Sequence, residues 1–365
     1  MRGRTRPGRD RVDCYHPKEV PTLSVNLAGA ESLLDLLRRM AAGHAPTDAE
    51  LGDVLDANAY CFGFYAGWEG VGRETLREAL RHFRQPERVP AGTIPTCMAE
   101  GFRRAVAEMD LMDARLAWLR EIDPSGIAER VLAYLPGGTP LDSTVHITID
   151  AFNNAFAHAG AMGVSLLKGA ADRRSFEDAV GHELHHLGVA HWAARDARRQ
   201  ALLRERSGRA VAVRHVGNLL SEGLANYYLT PHYVFLASPD EPPAGPYRSR
   251  LERLARDEGA YMARAEAILA QCLERSAAYE ACLAAYEGVA LDMEEHMLPA
   301  GHYLGARMVA TMARVHPSDA IVACVQHLPA FLPLYNEAAA ATGALAFGPH
   351  HVARFGRLWA PDAMP

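Results

Sequence analysis

Near the middle of the chain, Gly181-His182-Glu183-Leu184-His185-His186-Leu187 constrains the fold more than any other stretch. Two histidines four residues apart, with an acid beside the first, act together only if the segment is helical. At ~100° and 1.5 Å per residue, His182 and His186 lie ~40° apart and ~6 Å along the axis, so two imidazole nitrogens can converge on one cation. Glu183 falls ~60° beyond His186, beside the ion, where a general base can take a proton from water. His185 falls on the other flank, ~80° from the bisector of the pair, and reads as a residue behind the ligands or at the surface. His191 points ~180° away from His182 and is not a further ligand. Ser175-Phe176-Glu177-Asp178 offers a capped helix start ahead of the motif.

A third ligand is expected in Asn218 to Tyr228 (NLLSEGLANYY), whose acid is Glu222. Leu219, Leu220, Leu224 and Ala225 give that segment an apolar side, so an ionised Glu222 beside them is expensive unless paired or metal-bound. The plain alternative is that Glu222 rides the solvent edge of an amphipathic helix. Asn226, one turn later and ~40° from Glu222, can hydrogen-bond a ligating histidine or the carboxylate. His215, seven residues earlier on nearly the same face, is the reserve ligand.

The rest of the chain supplies the frame. Its 365 residues are 49% hydrophobic, enough for a large core without disulfide staples. The six cysteines form no C-x-x-C pair and read as reduced thiols. A net charge of −6 gives no global attraction for nucleic acid or anionic membrane, and no apolar run approaches a membrane span. The arginine-rich start (MRGRTRPGRDR) has no apolar run after it, so a cytoplasmic protein is expected, with 1–22 as a disordered basic arm. Helical periodicity fills 23–130, with Thr47-x-x-Glu50 as a capping box. The region 131–235 mixes β-branched runs, Val131 to Leu135, Thr144 to Ile149 and Gly163 to Leu167, with the two motif segments. Beyond a surface loop at Ser238 to Gly245, 246–365 is helical again, broken at Pro299 and Pro317, and it completes the cleft. Glu294-Glu295-His296 reads as a solvated face. The predicted class is α+β, predominantly helical, with a small sheet beside the metal-binding helix.

HELHH followed by EGLAN resembles the gluzincin class of zinc metallopeptidases, whose third ligand is a glutamate on a following helix. It also resembles a group of bacterial proteins described as zinc-dependent peptidases, with G-H-E-L-H-H, then E-G-L-A-N, then a late Y-x-x-G helix. Gly301-His302-Tyr303-Leu304-Gly305-Ala306-Arg307 corresponds to the last element. The likeness runs over about Leu23 to Ala340. It departs at Asn226, where the class carries an aspartate.

The resemblance implies a zincin-like core, one Zn2+ per chain on His182, His186 and Glu222, and hydrolysis of an amide bond in a peptide substrate. It implies an edge strand just before the metal helix that pairs with extended substrate, for which Gly163 to Leu167 is positioned. It also implies a late tyrosine or histidine that stabilises the oxyanion, with Tyr303 first and His302 second. From the residues alone two rivals stand: a non-haem iron or copper oxygenase on the same ligands, and a helical binding module with a vestigial motif.

Overall fold

Four strands form a single sheet in the order β1-β2-β4-β3: β1 (Leu23–Asn26), β2 (Ser143–Thr148), β3 (Ala155–His158) and β4 (Ala161–Ser165). They belong to a computed structural model that describes residues 22–235, 245–291 and 298–360. β1 runs parallel to β2 with Val25 opposite Val145, and β2 runs parallel to β4 with Ile147 opposite Val164. β3 turns back antiparallel on β4, placing Phe156 opposite Gly163. Two residues at positive φ, Ala159 (48°) and Gly160 (82°), make that tight turn. Helices surround the sheet, so the chain is α+β and predominantly helical, as its periodicity predicts.

Alternation along β3 sorts its side chains between two faces. Phe156 and His158 meet the rings of Tyr60 and Phe64 on the helix Ala59–Glu69. Ala155 and Ala157 therefore face the other way, where the motif helix Arg173–Arg195 packs on β3 and β4. Their small side chains let that helix come close.

Three expectations change. Val131 to Leu135 is not a strand: Ser125–Leu132 is a helix that buries Ile127, Ala128 and Val131 on one side. The run of β-branched and large residues there is outweighed by burial at helical spacing. Gly163 to Leu167 contributes to β4, which ends at Ser165 and lies inside the sheet, so the edge strand next to the motif helix is β3. The stretch from Leu23 read as helical opens instead with β1, and the carbonyl of Thr22 just before it accepts from Ser143 N at 3.1 Å. The capping box at Thr47 and Glu50 is present, with both reciprocal bonds. Five cysteines are free among the described residues. The arm at 1–21, the loop at 236–244 and Glu294-Glu295-His296 lie outside the described residues.

Two long helices complete the frame around the motif. The helix Gly208–Tyr228 carries the EGLAN segment, and Ala300–Ala313 crosses it at very short range. A Cβ on Gly223 would stand 2.6 Å from the Gly305 carbonyl oxygen, and one on Gly305 would stand 2.5 Å from that of Leu219. Backbone meets backbone there, and only glycine at both positions permits it.

Candidate metal centre

The motif helix starts at Arg173, with Asp172 as its cap accepting from Ser175 N at 2.8 Å. The start thus falls ahead of the Ser175 to Asp178 segment read from sequence. Asp178 is instead buried one turn before His182, 3.1 Å from His232 Nε2. The helix packs its back on Leu135, which occupies the space a side chain at Gly188 would need. Its front carries His182 and His186 with their rings nearly perpendicular (89°) and their Nε2 atoms 2.9 Å apart.

Glu222 reaches this pair from the helix Gly208–Tyr228. Its Oε2 lies 3.4 Å from His182 Nε2 and its Oε1 lies 3.4 Å from His186 Nε2. Among the described residues these three are the only group placed to hold a metal, their donor atoms all within 4.8 Å. With bonds of roughly 2.0–2.1 Å, tetrahedral zinc holds its ligand atoms about 3.3 Å apart. The two histidine–carboxylate spacings, one to each Glu222 oxygen, lie close to that edge, the histidine–histidine spacing of 2.9 Å is shorter, and two imidazoles with one carboxylate are a zinc donor set, so the residues fit the ion. Glu222 is buried, and burial raises a carboxyl pKa. The neighbouring His302, His186 and His182 outweigh that effect and hold it well below the usual carboxylate range. For His186, burial lowers the pKa, but the Glu222 charge and hydrogen bond lift it to about 9.

Three further residues brace these ligands. Ser221 Oγ stands 2.8 Å from His186 Nδ1, which fixes that ring so that Nε2 faces Glu222. Sequence reading passed over Ser221; its only signal is that it directly precedes Glu222. Asn226 Nδ2 donates to the Glu222 carbonyl at 2.9 Å and to its Oε2 at 3.4 Å. His302 Nδ1 lies 3.1 Å from Glu222 Oε2, delivered by the Gly223–Gly305 crossing. Its ring is nearly parallel to that of His182, with centroids 6.4 Å apart. Burial lowers the His302 pKa to about 4, against the opposing pull of the Glu222 charge.

The remaining candidates lie elsewhere. Tyr303, adjacent to His302, is turned into a separate apolar cluster with Val234, Leu251 and Leu254, and its hydroxyl donates to Glu258 at 3.2 Å. His185 is fully buried behind the motif, its Nε2 3.2 Å from the Tyr134 carbonyl, and burial lowers its pKa to about 3. His215 is likewise buried, 3.0 Å from the Ala265 carbonyl, with a pKa lowered by burial to about 4.

Glu183 completes the arrangement from the same turn as the histidines. The backbone N–H of Ala157 on the edge strand is near enough to its carboxylate to pull its pKa down somewhat. Burial, the first cause, and the nearby Glu222 charge raise its pKa against the opposing pull of His186 and His182. A carboxylate made more basic in this way, one residue from a ligand pair, is equipped to accept a proton.

Residues 73–343 match the family described as "Putative zinc dependent peptidase" (DUF5700), well over half of the chain, and the chain belongs to that family. The family's description makes zinc the cofactor, in agreement with the His/His/Glu cluster. No curated protein and no solved structure matches the chain. No described helix is long and apolar enough to cross a membrane.

Proposed function

We propose that this member of the zinc-dependent peptidase family is a gluzincin-like hydrolase that cleaves an amide bond in a peptide. One observation carries the reading: His182, His186 and Glu222 converge within 4.8 Å, with the Glu183 carboxylate on the same helical turn. In this reading those three residues hold zinc. Zinc held there would supply a Lewis acid for the carbonyl oxygen and a water with a pKa lowered to about 7.

Glu183 takes the proton of the attacking water and returns it to the leaving amine. The nearby Ala157 N–H sets the base beside the edge strand, so base and substrate backbone share one reference frame. Ser221 and Asn226 orient His186 and Glu222. His302 stands with Nδ1 3.1 Å from the Glu222 carboxylate. Because it lies beside that ligand, we assign His302 orientation of Glu222 first. Tyr303 is left out of the chemistry because its hydroxyl is engaged by Glu258.

The test is Glu183→Gln, read as zinc content and as turnover of a peptide that the native chain cleaves. Zinc should be retained at one ion per chain while kcat falls by about 10²–10⁴. Undiminished hydrolysis by the variant removes Glu183 from the role.

A further inference from the structure

The late segment Gly301 to Arg307 sends one side chain, His302, to the metal centre, and its tyrosine and arginine go elsewhere. The helix Ala300–Ala313 begins two residues before His302, with no side-chain cap on its first turn. N–H groups at the start of a helix have no partners within it, so the backbone alone does little to fix where that turn stands. Tyr303 leaves the helix ~100° around from His302. Its hydroxyl donates to Glu258 Oε2 at 3.2 Å, and Arg307 Nε donates to the same oxygen at 2.9 Å. Glu258 opens the helix Glu258–Cys272. Buried beside Ala300 and Ala306, Tyr303 has this carboxylate as the acceptor for its hydroxyl.

Resting on the zinc-site reading above, we propose that Glu258 is a positioning residue for the metal centre: through Tyr303 and Arg307 it fixes the helix turn that sets His302 against Glu222. Tyr303 and Arg307 are one turn apart on the same face, so a carboxylate that takes both ties down that face. The bond from Arg307 is charge-assisted, and loss of the one from Tyr303 would orphan a buried hydroxyl. Burial, and then the Glu258 charge, raise the Tyr303 pKa, so the phenol keeps its proton and goes on donating. The glycine crossing sets how near the two helix backbones come, while Glu258 holds the first turn in its rotation. His302 Nδ1 stands 3.1 Å from Glu222 Oε2, and a slip of ~1 Å takes it out of hydrogen-bond range.

The test is the zinc affinity of the full chain, measured by chelator competition for Glu258→Ala, Tyr303→Phe and Glu258→Gln, each alone and combined with His302→Ala. Glu258→Ala should weaken zinc binding by about three- to thirtyfold, below the effect of a residue that touches a ligand directly. Tyr303→Phe keeps the ring and removes one bond, and should lose about two- to fivefold. Glu258→Gln keeps an oxygen for both donors and should recover most of the affinity. In the His302→Ala background none of the three should cost more than about twofold further, because the residue they act through is gone. A readout without metal is the ring signal of His302 in a spectrum of the zinc-free chain with 13C-labelled histidine. It should move in Glu258→Ala and return in Glu258→Gln, while the signal of His185 stays in place.

Native affinity in both Glu258→Ala and Tyr303→Phe overturns the inference. So does a loss of the same size with and without His302, which marks a residue that supports the fold at large, and so does a His302 signal that does not move. If Glu258→Ala fails to fold, Tyr303→Phe with and without His302 decides the matter. Undiminished zinc affinity in His182→Ala brings down the zinc-site reading instead, and the His302 signal then decides by itself whether Glu258 positions that ring.

Discussion

The turn from His182 to His186 and the crossing of Gly208–Tyr228 with Ala300–Ala313 deliver side chains to the same small volume by opposite routes. In the turn, three functional groups come from five consecutive residues, and the periodicity of one helix sets their spacing. At the crossing, Glu222 and His302 are eighty positions apart in the chain, and they meet only because two glycines bring the helix backbones together. A local arrangement survives whatever keeps its helix folded. A contact between helices depends on every atom that sets their separation.

The sharpest way to break the second region without touching the first is Gly305→Ala. Alanine in a helix interior ordinarily gains about 0.5–1 kcal/mol over glycine. Here the new Cβ would stand 2.5 Å from the Leu219 carbonyl and 2.9 Å from Gly223 N, both backbone atoms that cannot turn aside. Overpacking of roughly 1–3 kcal/mol should win and move His302 away from Glu222. Tm and zinc affinity should both drop while helical circular dichroism is retained. An equal or higher Tm in Gly305→Ala shows that the crossing is looser than drawn.

Ser221 joins the two regions, because it sits on the Glu222 helix and fixes a ring of the motif helix. Ser221→Ala should weaken zinc binding by about 10–100-fold in a chelator competition, with little change in the stability of the zinc-free chain. Ser221→Thr should restore most of the affinity. Unaltered affinity in the alanine variant means that the two helices orient their ligands independently.

The smallest expected effect concerns the histidine that each region buries away from the ligands. His185 and His215 have pKa values lowered to about 3 and about 4 by burial, whereas an unfolded histidine titrates near about 6.5. Below about 6.5 the unfolded chain takes up protons that the folded chain refuses, so stability falls as pH drops towards 4 and is largest above that window. His215→Gln, which keeps a donor near the Ala265 carbonyl, should flatten the decline in a urea titration between pH 6.5 and 4. A decline just as steep in that variant assigns the acid sensitivity elsewhere.

Much of the candidate site was legible before any coordinates. The i, i+4 histidines and the adjacent acid follow from helix geometry, and Glu222 stood out as a charge on an apolar stretch. Asn226 was legible for the same reason, one turn along. Ser221 was not, because a serine next to an acid carries no pattern of its own. His302 and Tyr303 could not be ranked, since adjacent residues on a helix differ by ~100° and nothing local says which faces the ligand. The strand expected at 131–135 was lost because a short run of large apolar residues suits a buried helix as well as a strand. The edge strand was misplaced by one position in the sheet: β3, AFAH, has two alanines and no β-branched residue to announce it.

Sequence alone determined the spacing of His182, Glu183 and His186, the predominance of helix, and the family to which these motifs belong. Those properties depend on neighbours in the chain, whose geometry the backbone fixes within a turn or two. Tertiary structure decided which strand forms the sheet edge, that His302 rather than Tyr303 touches Glu222, and that the Tyr60 hydroxyl meets the His158 backbone at the end of β3. Each of those joins residues distant in sequence, and their distances are set by how closely whole elements pack, a quantity that no local pattern encodes.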